Sequence, residues 1–194
     1  MRNSAKRAIA LPVAALSAVA LTGIAANSAS ATTVASGSVT LNVNVSFLEA
    51  LAKYGVALAP TSYSSVSSTS SQVSVTYAVT GGTADVSTFS GSLSTSGGIC
   101  AFDAKTKKST QISALLFDLG DTQFDGQTAT SGGEEPLVDL AGTQSGNING
   151  TTETYAASDL TLDAVGAADL NAALGTTAFV AGEDVGSFSA TWVI

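Results

Sequence analysis

The sequence predicts a mainly β protein, an antiparallel β-sandwich or a barrel-like fold that carries two short helices. Apolar and polar residues alternate with period two over many short stretches, and residues 73–79 (VSVTYAV) are the clearest example. Glycine pairs, prolines and Asp-Gly steps separate these stretches, as turns do in all-β folds. Only two stretches carry the start and stop signals of a helix.

The predicted strands follow the alternating stretches along the chain. They cover residues 39–45, 56–59, 73–79, 89–95, 99–102, 111–118, 122–130, 136–140, 152–162, 179–180 and 188–194. The Gly97-Gly98 pair predicts a tight turn that makes residues 89–95 and 99–102 partner strands. The apolar run 114–117 (ALLF) predicts burial on both faces of its strand.

Polar segments and glycines are predicted to interrupt the strands. Gly81-Gly82 breaks the strand that begins at residue 73, and residues 61–71 are a serine-rich surface loop. Residues 131–135 and 141–150 are predicted as loops, and the lysine-rich residues 103–108 as a solvated hairpin tip.

Capping signals predict both helices. Ser46 and Glu49 have capping-box spacing before a helix at residues 47–54, which ends at Gly55. In this interpretation Tyr54 is the last core residue of the helix. Asp163 is the predicted N-cap of a second helix, residues 164–174, which Gly175 ends.

The first 31 residues have the three parts of a secretory signal peptide. A basic start precedes a small-apolar run at residues 8–20, and residues 29–31 (ASA) match a cleavage site. The alternative, a membrane anchor, is disfavoured because the apolar run is shorter than a span of about 20 residues. We therefore expect residues 1–31 to be removed, and residues 32–194 to form a single β-rich domain that starts at Thr32.

The charge of the mature chain narrows the classes of partner. Four lysines remain against all 15 acidic residues, which gives a net charge of −11. Nucleic acids and anionic membrane surfaces need a basic face, so neither is an expected partner, and no membrane span is expected after cleavage. We expect a secreted, extracellular protein, with a cell-wall or surface partner as one option.

Few residues could carry chemistry. The chain has no histidine, which excludes a Ser-His catalytic arrangement. Zinc sites use histidine and cysteine ligands, so we expect no zinc site in this chain. Cys100 is the single cysteine, so no internal disulfide can form, and we expect a small buried side chain in its strand. No catalytic residue is therefore assigned.

Three carboxylates surround one predicted turn. Asp118, Asp121 and Asp125 stand close together before Gly126, and such a group could hold calcium. The spacing misses the D-x-D-x-D-G pattern, and Asp-Gly is also an ordinary turn dipeptide. Both interpretations are open at this point.

Short motifs spread over nearly all of residues 32–194 occur in the order found in one known family. They are residues 41–42 (LN), 54–56 (YGV), 79–82 (VTGG), 89–93 (FSGSL), 96–98 (SGG), 117–118 (FD), 136–140 (PLVDL) and 167–175 (AADLNAALG). In these motifs the chain resembles the HtaA-domain-like family of secreted actinobacterial proteins. The resemblance implies a β-rich fold with short helices that works outside the cell membrane.

The resemblance also implies a possible cofactor. HtaA-type domains of corynebacteria take up haem with a tyrosine as axial ligand and a histidine nearby, and Tyr54 is the best match to that tyrosine. Thr95 stands where many relatives carry the histidine. Because a tyrosinate ligand needs second-shell support and the charge of −11 opposes a dianionic porphyrin, we expect haemin to bind weakly or not at all.

Three functions are thus compared. The sequence favours a secreted or envelope-associated, non-enzymatic β-rich module without a cofactor and with an unknown ligand. The alternative is haem binding or uptake of the HtaA type. The third is a glycan-active enzyme in which Glu134 or Glu135 acts with a distant carboxylate such as Asp139 or Asp159.

Overall fold

The computed structural model describes residues 32–194, and the predicted signal peptide lies outside the described residues. The described chain contains two helices and twelve strands, in agreement with the predicted fold class. The elements are β1 Thr32–Thr33, β2 Ser36–Asn44, α1 Val45–Tyr54, β3 Val56–Thr61, β4 Ser65–Ser68, β5 Gln72–Asp85, β6 Ser90–Thr95, β7 Gly98–Asp103, β8 Ser109–Asp118, β9 Gln123–Gln127, β10 Glu135–Asn149, β11 Thr152–Leu162, α2 Ala164–Leu174 and β12 Asp184–Val193.

Eight of these strands form a closed antiparallel barrel. The ring runs β5, β2, β12, β11, β10, β9, β8 and β6, and it closes because β6 pairs with both β8 and β5. Closure leaves these strands without a free edge along the paired segments. Of the two predicted architectures, the structure therefore selects the barrel and not the sandwich.

A bulge divides strand β8 into two parts. Ala114 has a left-handed backbone (φ 51°), and the pairing with β9 shifts between Ser113 and Leu116. Before the bulge the buried side chains are those of Thr110 and Ile112, and after it the buried positions begin again at Leu115. The extra residue thus shifts the alternation of inward and outward side chains by one position. The apolar run 114–117 therefore spans a shift in which alternate residues face the interior. The prediction that both faces of this strand are buried was wrong.

The bulge also changes the neighbour of β8. Residues 109–112 pair with β7, whereas residues 116–118 pair with β6. β6 and β7 thus follow one another along the same side of β8, and Gly97 (φ 98°) redirects the chain between them. The prediction that they are hairpin partners was wrong, because they lie end to end along one edge of β8 and pair with β8 instead of with each other.

Strand β5 shows the same division on the other side of the ring. Its first part pairs with β4 and its second part with β6, so that β4 and β6 follow one another along one side. Among the described residues β4 pairs only with β5, and β3 pairs only with β7. The barrel is therefore closed where β6 lies, and a gap remains between β4 on one side and the β3–β7 pair on the other.

The two helices differ in how they begin. At α2 the Asp163 carboxylate accepts a hydrogen bond from the Val165 N–H at 2.6 Å, which confirms the predicted N-cap. Helix α1 begins at Val45, and its N-cap Asn44 makes no side-chain capping bond. The predicted capping box was wrong, because Ser46 already lies inside the first turn.

The helices end alike, and the β7–β8 hairpin joins their ends. Gly55 and Gly175 both have left-handed backbones, as predicted for C-terminal stops. Lys105 Nζ donates to the Lys53 carbonyl at 3.3 Å, and Thr106 Oγ1 donates to the Leu174 carbonyl at 2.7 Å. Residues 103–108 therefore satisfy carbonyls at both helix ends, a role that the prediction of a solvated tip missed.

Other element boundaries differ from the prediction for identifiable reasons. β5 runs through Gly81-Gly82, and the predicted loop 141–150 is largely the far half of β10, paired to β11 with its side chains exposed. The predicted loop 61–71 contains β4. Residues 179–180 form no strand, because the Asn171 side chain bonds both the N–H and the C=O of Phe179.

Candidate functional site

Two adjacent apolar cavities lie between the barrel wall, the helices and the β3–β7 pair. The larger has a volume of about 80 Å³ and is lined only by aliphatic and phenylalanine side chains. Its lining residues are Leu41, Val43, Phe47, Leu58, Ile99, Ile112, Phe124, Leu137, Val138, Leu160, Leu162, Leu170, Phe179 and Val185. They come from both helices, from eight strands and, at Phe179, from a loop, so the cavity exists only in the assembled fold.

The second cavity has a volume of about 70 Å³ and lies in the gap. Its lining residues are Leu41, Val43, Leu48, Leu58, Ala59, Pro60, Val73, Val75, Tyr77 and Ile99. Leu58 and Ile99 belong to the β3–β7 side of the gap, whereas Val73 and Val75 belong to the β5 side. The lining of this cavity therefore joins the two sides of the gap.

Tyr77 carries the single polar side chain of the two linings, and its hydroxyl is already used. The Tyr77 hydroxyl donates to the Gly98 carbonyl at 3.1 Å. Burial raises the pKa of Tyr77 to about 12. The cavities therefore offer dispersion contacts and an apolar solvent, and neither acid–base nor nucleophilic groups face them.

The structure places Tyr54 outside both cavities. Its side chain is 45 % exposed, so the prediction that it is the last core residue of its helix was wrong. The ammonium group of Lys105 lies 5.7 Å from the centre of the Tyr54 ring, at cation–π distance. Thr95 is buried, and its hydroxyl donates to the Leu115 carbonyl at 3.0 Å. Tyr54 could reach a ligand only on the surface.

The three aspartates of the predicted turn lie on one hairpin. Asp118 Oδ1 accepts from the N–H groups of Gly120 (2.7 Å) and Asp121 (3.0 Å), as in an ordinary Asx turn. Within residues 32–194 no group of three or more acidic, histidine or cysteine side chains is placed to hold a metal ion. The geometry thus supports the turn interpretation of these residues.

Asp125 has the carboxyl group of this hairpin whose pKa is shifted most. Burial, followed by the negative charge of Asp118 and Glu134, raises its pKa from 3.8 to about 6. One carboxyl oxygen, Oδ1, is buried without a hydrogen-bond partner in the described part of the chain. The ionised side chain is therefore unfavourable in the folded protein.

We predict that Asp125→Asn stabilises the protein above pH 6. The raised pKa means that the folded state holds its proton more tightly, so stability falls as pH rises from about 4 to 6 and stays lower above that range. A shift of this size in a fully buried group corresponds to roughly 3 kcal/mol. Solvent screening at this half-buried position reduces our expectation to about 1 kcal/mol.

Urea unfolding at pH 4 and pH 7.5 measures this effect. The gain should be present at pH 7.5 and absent at pH 4, while Glu49→Gln, which removes an exposed charge, should change little at either pH. A loss of stability in Asp125→Asn at pH 7.5 would show that the carboxylate is needed.

A second acidic contact was not predicted. Partial burial and the nearby Asp169 carboxyl raise the pKa of Glu135. Asp169 Oδ2 is buried without a donor among the described residues, and a proton held on Glu135 would supply one. Asp139 instead accepts from the Gln123 side chain at 3.0 Å. No sequence signal pairs Glu135 with Asp169, since the contact depends on how α2 packs on β10.

The end of the barrel away from helix α2 holds buried polar groups that sequence reasoning also missed. Glu153 is 3 % exposed, and its Oε2 accepts from the Val86 N–H at 2.8 Å. The Tyr155 hydroxyl and the Trp192 Nε1 are buried there without partners in the described chain. Cys100, expected to be buried, is only half-buried, because its side chain lies towards the outer face of β7.

Comparison with known proteins supports the fold and leaves the activity open. The C-terminal domain of HtaA from Corynebacterium glutamicum has a similar structure, with a TM-score of 0.58 over 84 % of this chain and 98 % of that domain. The two sequences are 14 % identical, so the likeness establishes a shared fold alone. No family model and no curated protein matches the sequence.

Proposed function

We propose that this protein is a non-enzymatic binding module that acts outside the cell, secreted or associated with the envelope. The observation that carries the proposal is the pair of apolar cavities inside an HtaA-like barrel. Such an interior can bind a ligand, and among the described residues its two linings carry no carboxylate, amine or thiol that could attack or protonate one.

The arrangement of carboxyls supports a module without catalysis. A glycosidase places two carboxyls roughly 5–10 Å apart on either side of the scissile bond. Glu135 instead interacts directly with Asp169, and neither residue lines a cavity. This arrangement favours the binding module over the glycan-active enzyme.

The haem alternative finds support in the shared fold but little in the tyrosines. A haem ligand must reach iron as tyrosinate. Tyr77 and Tyr155 are buried, and burial raises the pKa of both. Tyr54 and Tyr63 are about half-exposed, so either would hold haem on a surface of negative net charge.

Export is the part of the proposal that culture fractionation tests. We predict that the culture supernatant or the cell-wall fraction contains the protein as a chain that begins at Thr32, because residues 29–31 follow a small-apolar run. Intact-mass spectrometry measures that start. A membrane-bound species with an intact Met1 start would contradict the proposal. No helix in the described range has the length and hydrophobicity needed to span a membrane.

A further inference from the structure

We propose that the two cavities form one binding site for the aliphatic chain of an uncharged amphiphile, which enters through the gap between β4 and β3–β7. This inference rests on the proposed binding function and specifies its ligand class. Four side chains, those of Leu41, Val43, Leu58 and Ile99, line both cavities, so the two spaces are neighbours with a shared wall.

The lining selects an aliphatic chain. A ligand group that needs a hydrogen bond would lose it here, because the Tyr77 hydroxyl already donates to Gly98. The four shared side chains stand between the two cavities. A flexible chain can bend around side chains that divide a site, whereas a rigid planar ring system needs one undivided slot.

The gap provides the entrance. The second cavity lies between β3 and β5, and the segment that crosses from one to the other carries β4. On this segment Tyr63 is 49 % exposed and Val66 is 42 % exposed, and the residues around them are serines and threonines. A chain inserted through the gap would leave its polar end among these hydroxyl groups.

The charges favour an uncharged polar end. Neither cavity has a lysine in its lining, and the mature chain has a net charge of −11. An anionic head group would meet hydroxyl groups but no lysine or arginine on residues 61–71, and it would be repelled at longer range. Fatty alcohols should therefore bind better than the corresponding carboxylates.

A series of 1-alkanols from hexanol to decanol tests the site on the mature protein. The expected affinity, measured by calorimetry or methyl NMR, rises about fourfold for each added methylene until the cavities are filled, and then stops rising. Octanoate at pH 8 should bind at least tenfold more weakly than 1-octanol. Affinity that is independent of chain length would overturn the proposal, as would tighter binding of octanoate.

Two variants locate the site. Val43→Phe adds bulk to the shared wall and should weaken 1-octanol binding at least tenfold, whereas Val165→Phe, at an exposed position on α2, should change it less than twofold. Equal affinities in the two variants would place the ligand elsewhere and overturn the proposal.

Methyl shifts in the wild-type protein decide the matter if Val43→Phe does not fold. 1-Octanol should shift the Leu41, Leu58 and Ile99 methyl signals and leave those of exposed Ile148 and Val180 unchanged. Folded protein without saturable shifts would refute this inference and leave the export test standing. A protein retained in the cell would instead refute the proposed function, whatever the alkanols do.

Discussion

Replacing Phe188 with alanine should cost about 3–5 kcal/mol of unfolding free energy, a large part of what a domain of this size has. Phe188 is 1 % exposed, and its ring centre lies 4.5 Å from that of Phe117, 6.0 Å from that of Phe124 and 6.2 Å from that of Tyr155. It therefore joins the aromatic residues of four barrel strands. Truncation removes apolar contact and leaves a cavity that the surrounding strands cannot close.

Urea unfolding of Phe188→Ala and Phe102→Ala provides the comparison. Phe102 has the same side chain but is 41 % exposed on β7, so its loss should cost less than about 1 kcal/mol. The melting temperature of Phe188→Ala should fall by roughly 10 °C. Similar losses in both variants would mean that the aromatic cluster is not the centre of the core.

Gly186→Ala should destabilise the barrel by about 3 kcal/mol or more, or prevent folding. Gly186 has a φ of 148° in β12, where it pairs with Val43 of β2 and Leu160 of β11. An added Cβ would collide with the Asn42 carbonyl oxygen, which belongs to the neighbouring backbone. Strain at such a backbone position and a collision with an atom that cannot rotate away act together.

Gly81→Ala is the matched control for this substitution. Gly81 also lies in a barrel strand, but no heavy atom is within 4 Å of the position that its Cβ would take. We expect a change within about 0.5 kcal/mol for this variant. If Gly186→Ala had a urea midpoint close to that of the wild type, the close approach of β12 to β2 would be disproved.

Local signals account for the parts of the fold that sequence predicted well. Asp163 and Gly175 act within one turn of the helix that they delimit, and residues 73–79 alternate in a strand that is buried on one face only. Such features depend on nearby residues, so a single sequence contains the information needed to find them.

Long-range pairing accounts for the errors. The bulge at Ala114 occurs without a glycine, and its effect appears only when β9 and β6 are placed beside β8. Residues 141–150 have the composition of a loop because both of their faces are exposed, yet they pair along β11. Pairing partners distant in sequence decide these features.

The candidate site lay almost wholly beyond sequence reasoning. Its shared wall brings together Leu41, Leu58 and Ile99, three ordinary apolar residues from three strands. The sequence instead indicated residues with distinctive chemistry, such as Tyr54 and Asp118, which the structure places in a cation–π contact and a turn. A site built from dispersion contacts leaves no short motif.

Binding through the apolar interior, and not by coordination of haem iron, is the function that we propose for this barrel. A haemin titration of the mature protein, followed in the Soret region, tests it most directly, with Tyr54→Phe and Tyr63→Phe as the matched variants. We predict no saturable complex, and any weak signal should be the same in both variants as in the wild type. A stoichiometric complex that is lost in one tyrosine variant would contradict the claim.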